Sequence, residues 1–331
     1  MQLCGPYEGP YCLAISDQIL VARTGFSVNR FDFGVSEECG MRRTMEDKSI
    51  VVQDFGISAL TAAGLGPQSY VAVYDGHGGA QASQYLSERL HQNVMQALSR
   101  AADEVAAACG AEPRGASSEP VQRLLHAAIK GAFLCTDEQF IATSEYPQAG
   151  STATTVMICG RHVFAANVGD SRTVLCTRGV ARALSVDHKP GREDEATRIK
   201  AAGGFIIHGR VMGELAVSRA FGDAEFKKGI SEILGDETES WIGGTESSDL
   251  SRPLVVAEPE ITTIELPPEA ETACAGDFLL LACDGLFDVF NDQVCECVRV
   301  CKRSSGRSWS ERVRTCTKEK GGRRHGAQEA C

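Results

Sequence analysis

The sequence predicts an α+β fold in which β-sheets pack together and helices cover them. Two long amphipathic helices are indicated, the first by Leu86, Leu90, Val94 and Leu98 at four-residue intervals, and the second from Glu119 to about Thr143. The segment "STATTVMICGRHVFAANVGDSRTVLCTRGVARAL" then breaks into short apolar runs separated by turn residues, which is typical of an antiparallel meander. Helices and strands do not alternate regularly, so a parallel α/β sheet is disfavoured.

Further elements are indicated on both sides of the meander. Tyr70–Tyr74 is a short apolar strand that ends in Asp-Gly, and "EDEATRIKAAGG" is a short helix stopped by glycine. The segment "PLVVAEPEITTIEL" gives two strand-like pieces. "FLLLACDGLFDVF" is a buried strand, a turn and the start of a helix.

The domain organisation follows from these patterns. Residues 1–30 have no clear period and are interpreted as an N-terminal extension, whereas residues 31–294 form one folded domain. Within that domain, residues 229–252 are acidic, rich in Gly and Ser, and predicted to be an exposed insertion. Residues 295–331 are a basic, cysteine-rich tail with ten Lys/Arg against four Asp/Glu, although the whole chain carries a net charge of −11.

Composition limits the classes of function. Of the 331 residues 43% are hydrophobic, which is enough for a substantial core. The net negative charge argues against nucleic acid or an anionic membrane as the main partner. No signal peptide and no apolar run of about 18 residues are visible. Nine of the 14 cysteines are scattered singly, so we expect reduced thiols and a location in the cytoplasm, the nucleus or both. We also expect a monomer.

Two apolar strands each end in Asp-Gly, at Asp75 and at Asp284. The two carboxylates would converge if these strands were neighbours in one sheet. "MRRTMED" adds Glu46 and Asp47 beside Arg42 and Arg43. Acidic oxygen ligands suit hard cations such as Mg²⁺ or Mn²⁺, and arginine can grip two phosphate oxygens. Taken singly, each Asp-Gly is more often a turn and each Arg–Glu pair a surface ion pair.

The motifs "RRTMED", "VYDGHGG", "GSTAT", "ANVGDSR", "DHKP", "AGG", "GELAVSRAFGD" and "LLLACDGLFDV" occur in the same order as in the metal-dependent protein phosphatases of the 2C type, the PPM family. The resemblance runs from about Gly34 to Gln293, some four-fifths of the chain. It implies a β-sandwich flanked by pairs of α-helices, with a two-metal site at one end. It also implies hydrolysis of phosphoserine and phosphothreonine in protein substrates by a metal-activated water.

The resemblance assigns roles residue by residue. Asp75 matches the aspartate that bridges both metals, and Gly76 the residue that offers its carbonyl oxygen. Glu46 matches a ligand of one metal, and Asp284 a ligand of the other. Asp47 matches an aspartate that holds metal-bound water, and Asp170 an aspartate of a weaker third metal site. Arg42 matches the arginine that binds substrate phosphate, and His77 the general acid.

The chain departs from the family pattern after Gln293. The family continues with a last core strand introduced by Asp-Asn, whose Asp shares a cation with the residue that is Asp284 here, but residues 293–331 contain no Asp. We therefore expect the last core strand and one metal ligand to be missing. A frameshift or alternative end, a basic disordered tail, and a zinc module of Cys295, Cys297, Cys301 and Cys316 remain open for this segment. The alternative function is a catalytically weak phosphatase-like protein that binds phosphoproteins or regulates.

Overall fold

The fold of the protein was analysed in a computed structural model. The structure describes residues 17–24, 31–39, 42–54, 56–111, 117–178, 180–229, 249, 251–266, 278–288 and 290–292. Most of the predicted acidic insertion, the whole basic tail and the site of the predicted missing strand lie outside these residues.

Two five-stranded antiparallel sheets form the body of the molecule. The first sheet has the strand order β14-β8-β7-β4-β3, and the second has the order β10-β9-β15-β1-β2. The strands of the first sheet are β3 (Lys48–Val52), β4 (Gln68–Tyr74), β7 (Ala153–Cys159), β8 (His162–Val168) and β14 (Glu260–Glu265). The strands of the second sheet are β1 (Asp17–Thr24), β2 (Phe31–Glu38), β9 (Arg172–Thr177), β10 (Val180–Ala183) and β15 (Phe278–Ala282).

Two small sheets complete the strand inventory of the described residues. A three-stranded sheet has the order β13-β6-β5, from β5 (Gly76–His77), β6 (Gly150–Ser151) and β13 (Phe221–Gly222). A two-stranded hairpin joins β11 (Ile206–Ile207) to β12 (Arg210–Val211).

The helices differ greatly in length. The short helix α1 (Ser58–Leu60) continues into a π-helical turn, Thr61–Leu65. The long helices are α2 (Gln81–Ala111) and α3 (Glu119–Thr143), and the others are α4 (Glu193–Ala201), α5 (Ala224–Lys227) and α6 (Asp284–Phe287). No helix in the described part of the chain combines the length and the apolar character that a membrane crossing needs.

Side chains that alternate along β4 pack in two different layers, one between the two large sheets and one between the first sheet and the helices. In β4, Val71 and Val73 face the second sheet, where they belong to one apolar cluster with Leu279 and Leu281 of β15. The alternate residues of β4, such as Tyr70, pack in the cluster that contains the helix pair α2 and α3. Because both faces of β4 are covered, all of its seven residues are buried.

The helices and most strands were correctly predicted. The predicted stripe of α2 is buried, and α3 has the predicted bounds, Glu119–Thr143. The apolar piece before β14 is not a strand, because prolines flank it and Val256 makes only an isolated bridge with Arg219. Among the described residues one helix pair, α2 and α3, covers the first sheet, whereas only the short α6 packs on the outer face of the second.

The first strand lies within the segment that the sequence assigned to an N-terminal extension. Asp17–Thr24 pairs with β2 on one side and with β15 on the other. The second sheet therefore begins before the predicted domain boundary at residue 30. These residues show no clear period, so local pattern alone does not predict this strand.

Candidate functional site

Three carboxylates meet at one end of the sandwich. Asp75 follows β4 of the first sheet, Asp284 follows β15 of the second, and Asp170 lies in the turn from β8 to β9 that crosses between the sheets. Carboxylate oxygens of the three residues lie within 4.8 Å of one another. The strands that carry Asp75 and Asp284 belong to opposing sheets, so the two carboxylates converge although the strands are not neighbours in one sheet.

The backbone of Asp75 is fixed by the "GSTAT" motif. The amide of Thr152 donates to the Asp75 carbonyl oxygen at 2.9 Å, and the Asp75 amide donates to Thr152 Oγ1 at 3.2 Å. Gly76 follows, and a Cβ there would collide with the main-chain oxygen of Glu46, so this position requires glycine. The missing side chain at Gly76 thereby lets the end of β4 lie close to the "MRRTMED" segment.

Burial and mutual repulsion raise the pKa values of the clustered carboxyls. The pKa of Asp75 is well above its ordinary value because of burial, with further contributions from Asp47, Asp284 and Asp170. Burial, Asp170 and Asp288 raise the pKa of Asp284 to about 6. Like charges this close favour either bound protons or a bound cation.

A lysine partly neutralises the cluster. Lys189 Nζ is ion-paired with Asp170 Oδ2, and burial alone would lower its pKa, but Asp170 and Asp284 raise it overall. One ammonium cannot balance three converging carboxylates. An all-oxygen, anionic site of this kind fits hard divalent cations such as Mg²⁺ or Mn²⁺, as the resemblance implies.

The acidic residues of "MRRTMED" have different surroundings. Asp47 is buried, and burial raises its pKa. Hydrogen bonds to Asp75 and Cys283 act to lower the pKa, but the net change is upwards. Asp47 therefore adjoins the cluster through Asp75. Glu46 is partly buried, and its Oε1 lies 3.5 Å from Thr44 Oγ1. It does not belong to the group of three mutually close carboxylates.

Arg42 and His77 line the same cleft as the carboxylates. The cleft has a volume of about 430 Å³, and Thr152, Arg210 and Leu215 also line it. Arg42 and Arg43 are both exposed, but only Arg42 lines the cleft. Of the eight residues assigned by resemblance, Arg42, Asp75, Gly76, His77, Asp170 and Asp284 therefore share one cleft.

The "GDSR" and "DHKP" motifs lock the turn that carries Asp170. Arg172 makes a two-pronged ion pair with Asp187, with nitrogen–oxygen distances of 2.9 and 2.8 Å. Arg172 also binds Asp292 at 2.6 Å and lies over the ring of Phe287, 4.8 Å from its centroid. One arginine thus ties the Asp170 turn to the helix that begins at Asp284.

His188 holds the same turn from inside. His188 Nδ1 lies 3.1 Å from the Gly169 amide nitrogen, and its Nε2 lies 3.4 Å from Glu260 Oε2. Burial, followed by the nearby Arg219, lowers the pKa of His188 to about 4. The ring is fully buried and is therefore neutral near pH 7.

This burial predicts a pH-dependent stability difference. Because the folded-state pKa of His188 lies below the unfolded value, its contribution to stability is complete above about pH 6.5 and is lost as the pH falls towards 4. Relative to His188→Gln, the wild type should lose about 2 kcal/mol between pH 7 and pH 5. Urea unfolding of both proteins at each pH measures the difference, and a pH-independent difference would contradict a neutral buried ring.

Three residues near the cluster were not assigned roles from the sequence. Lys189 lies in "DHKP", Asp288 is four residues after Asp284, and Asp223 ends "GELAVSRAFGD". Asp288 could have been found from its spacing, since residues four apart share a helix face. Nothing in the local sequence reveals that Asp223 contacts His77, because 146 positions separate the two residues.

Solved structures share this architecture. A crystal structure titled "serine-threonine phosphatase 2C from Toxoplasma gondii" matches with a TM-score of 0.62 at 21% identity, covering 85% of this chain and 87% of that chain. A structure titled "a C.elegans sex determining protein" matches with a TM-score of 0.55 at 24% identity, covering 85% of this chain and 58% of that one. At these identities the matches show the fold, which is the predicted α+β sandwich.

Sequence comparison is more specific. The family model described as "Protein phosphatase 2C" matches residues 31–322, so this chain belongs to the protein phosphatase 2C family. "Probable protein phosphatase 2C 14" of Arabidopsis thaliana is 36% identical over 265 residues, or 79% of this chain and 46% of that protein. "Protein phosphatase 2C homolog 2" of Aspergillus flavus is 34% identical, over 81% of this chain and 54% of that protein. The chain thus spans about half the length of these curated relatives.

Proposed function

We propose that this chain is a metal-dependent protein phosphatase that hydrolyses phosphoserine and phosphothreonine in protein substrates. One observation carries the proposal: the carboxylates of Asp75, Asp170 and Asp284 converge in a cleft that Arg42 and His77 also line. Family membership supports the same reaction.

Each residue of the cleft has a separate role in the proposed reaction. Divalent cations, when bound to the carboxylates, lower the pKa of water and balance the charge of the phosphoryl oxygens. The fork of Arg42 binds and orients the substrate phosphate. His77 supplies a proton to the leaving alkoxide, a role that suits an imidazole near neutral pH. Lys189 keeps the Asp170 carboxylate in place through its ion pair.

A second candidate is a phosphatase-like protein that binds phosphoproteins with little turnover. The observation that favours it is the absence of Asp from residues 293–331, where the family supplies a further metal ligand. The two candidates make different predictions for the same phosphopeptide. The active enzyme releases phosphate, whereas the binding protein retains the peptide.

The deciding experiment measures phosphate release from a phosphothreonine peptide with Mn²⁺, with Mg²⁺ and with EDTA. Release that requires the metal supports the phosphatase. Peptide binding by calorimetry without release supports the binding protein. Neither release nor binding would contradict both candidates.

Arg42 and its neighbour provide a matched pair of variants. We expect Arg42→Ala to lower kcat/KM for the phosphopeptide by about tenfold or more, because a charged phosphate contact is lost. Arg43→Ala should stay within about twofold, since Arg43 does not line the cleft. Steady-state kinetics measures both, and equal losses in the two variants would contradict the assignment of the phosphate to Arg42.

A further inference from the structure

The small three-stranded sheet brings an unassigned carboxylate onto His77. His77 is the last residue of β5, and Asp223 directly follows β13 on the opposite edge of this sheet. His77 Nε2 lies 2.9 Å from Asp223 Oδ1 and 2.8 Å from Asp223 Oδ2. The two side chains therefore meet across the central strand, β6.

The residue of β6 that lies beneath this contact is a glycine. Gly150 pairs with His77 on one side and with Gly222 on the other. A Cβ at Gly150 would overlap both Asp223 Oδ2 and His77 Nε2. The first residue of the "GSTAT" motif thus leaves the space in which the histidine and the aspartate meet.

Asp223 is held firmly in an unusual conformation. Its backbone is left-handed, with φ 51° and ψ 51°, and the residue is only 4% exposed. Its amide donates to the Ala149 carbonyl oxygen at 3.0 Å, and the preceding amide of Gly222 donates to Asp137 Oδ1 at 2.8 Å. Lys227 binds the other oxygen of Asp137 at 2.7 Å. A non-glycine residue stays in this region only when its surroundings impose it.

The contact decides which ring nitrogen remains free. The carboxylate of Asp223 accepts the Nε2–H of His77, whereas Nδ1 makes no hydrogen bond to any residue that the structure describes. His77 lines the cleft of the carboxylate cluster, and Asp223 does not. Asp223 therefore acts on the ring from outside the cleft.

We propose that Asp223 is a positioning residue that holds the His77 ring across Gly150, so that Nε2–H stays on the Asp223 carboxylate and Nδ1 carries the proton that passes to the leaving oxygen of the substrate. The proposal rests on the proposed function for the role of His77. The orientation of the ring is independent of that function and can be measured separately.

Leaving-group dependence is the catalytic test. We expect Asp223→Asn to slow hydrolysis of a phosphothreonine peptide by about tenfold or more, because an alkoxide needs a proton to leave. The same variant should hydrolyse p-nitrophenyl phosphate within about threefold of wild type, since nitrophenolate leaves without one. Asparagine tolerates the left-handed backbone, so the fold should be kept. Glu225→Gln, two residues further on and exposed, is the control and should change neither rate.

Gly150→Ala tests the geometry without removing a charge. It should show the same selective loss on the peptide. In His77→Gln, adding Asp223→Asn should cause no further loss, because the aspartate acts through the ring. Equal losses on both substrates, or additive losses in the double variant, would overturn the proposal.

Ring nitrogen spectra provide the test that does not need turnover. In ¹H–¹⁵N NMR spectra of the full chain, the His77 signals, assigned by their loss in His77→Gln, should show a protonated Nε2 that shifts in Asp223→Asn and in Gly150→Ala. If the wild type releases no phosphate but its ring signals respond in this way, the proposed function fails and the positioning stands. His77 signals that do not respond to either variant overturn the positioning itself.

Discussion

We expect Asp75→Asn to hydrolyse a phosphothreonine peptide at least about 100-fold more slowly than the wild type. Asp75 has three acidic neighbours, because it lies close to Asp170 and Asp284 and is hydrogen-bonded to Asp47. In the proposed metal centre, loss of this charge should weaken the binding of divalent cations. Titration calorimetry should accordingly show weaker Mn²⁺ binding.

Stability separates this effect from unfolding. Since burial and repulsion raise the pKa of Asp75, its charge is unfavourable to the metal-free fold, and Asp75→Asn without metal should melt at the same temperature as wild type or higher. Asp103→Asn, on the exposed face of α2, is the control and should leave activity and metal binding unchanged. Unchanged Mn²⁺ affinity in Asp75→Asn would contradict the proposed metal centre.

The second large effect is on stability and concerns a buried glutamate. Glu195 of α4 is 1% exposed and accepts hydrogen bonds from Arg219 at 2.7 Å and from Arg198 at 2.9 Å. Glu195→Gln leaves two partly buried arginines without this counter-charge. The free energy of unfolding should fall by about 3–5 kcal/mol.

The first turn of the same helix provides the control. Glu193 is exposed, so Glu193→Gln should change the free energy of unfolding by less than about 0.5 kcal/mol in urea titrations. Burial acts to raise the pKa of Glu195, but the arginines lower it to about 2. Its contribution is therefore complete above about pH 4.5 and is lost as the pH falls towards 2. Equal effects of the two variants would show that the buried network does not stabilise the fold.

Elements with a strong local pattern could be predicted from the sequence. The bounds of α3 and the buried stripe of α2 follow from helical spacing of apolar residues. The Asp-Gly ends of β4 and β15 follow from apolar runs that stop at a carboxylate. These features need only a few neighbouring residues, so the sequence alone contains them.

Contacts between distant segments could not be predicted in this way. The sequence placed Asp75 and Asp284 at strand ends but did not show that the strands face each other from opposing sheets. Asp223 reaches His77 through a sheet built from three two-residue strands, which leave no period in the sequence. Strand β1 was missed because its place in the sheet is defined by β15, some 260 positions away.

The pairing of β1 with β15 has a consequence for how the chain is made. When β1 leaves the ribosome, its neighbouring strand β2 follows at once, whereas its other neighbouring strand, β15, emerges more than 250 residues later. Until then one edge of the β1–β2 hairpin is open to pairing with other chains. Asp284 directly follows Cys283 and β15, so this late pairing also positions the last of the three clustered carboxylates. Completion of the second sheet and assembly of the carboxylate cluster therefore occur together, late in synthesis.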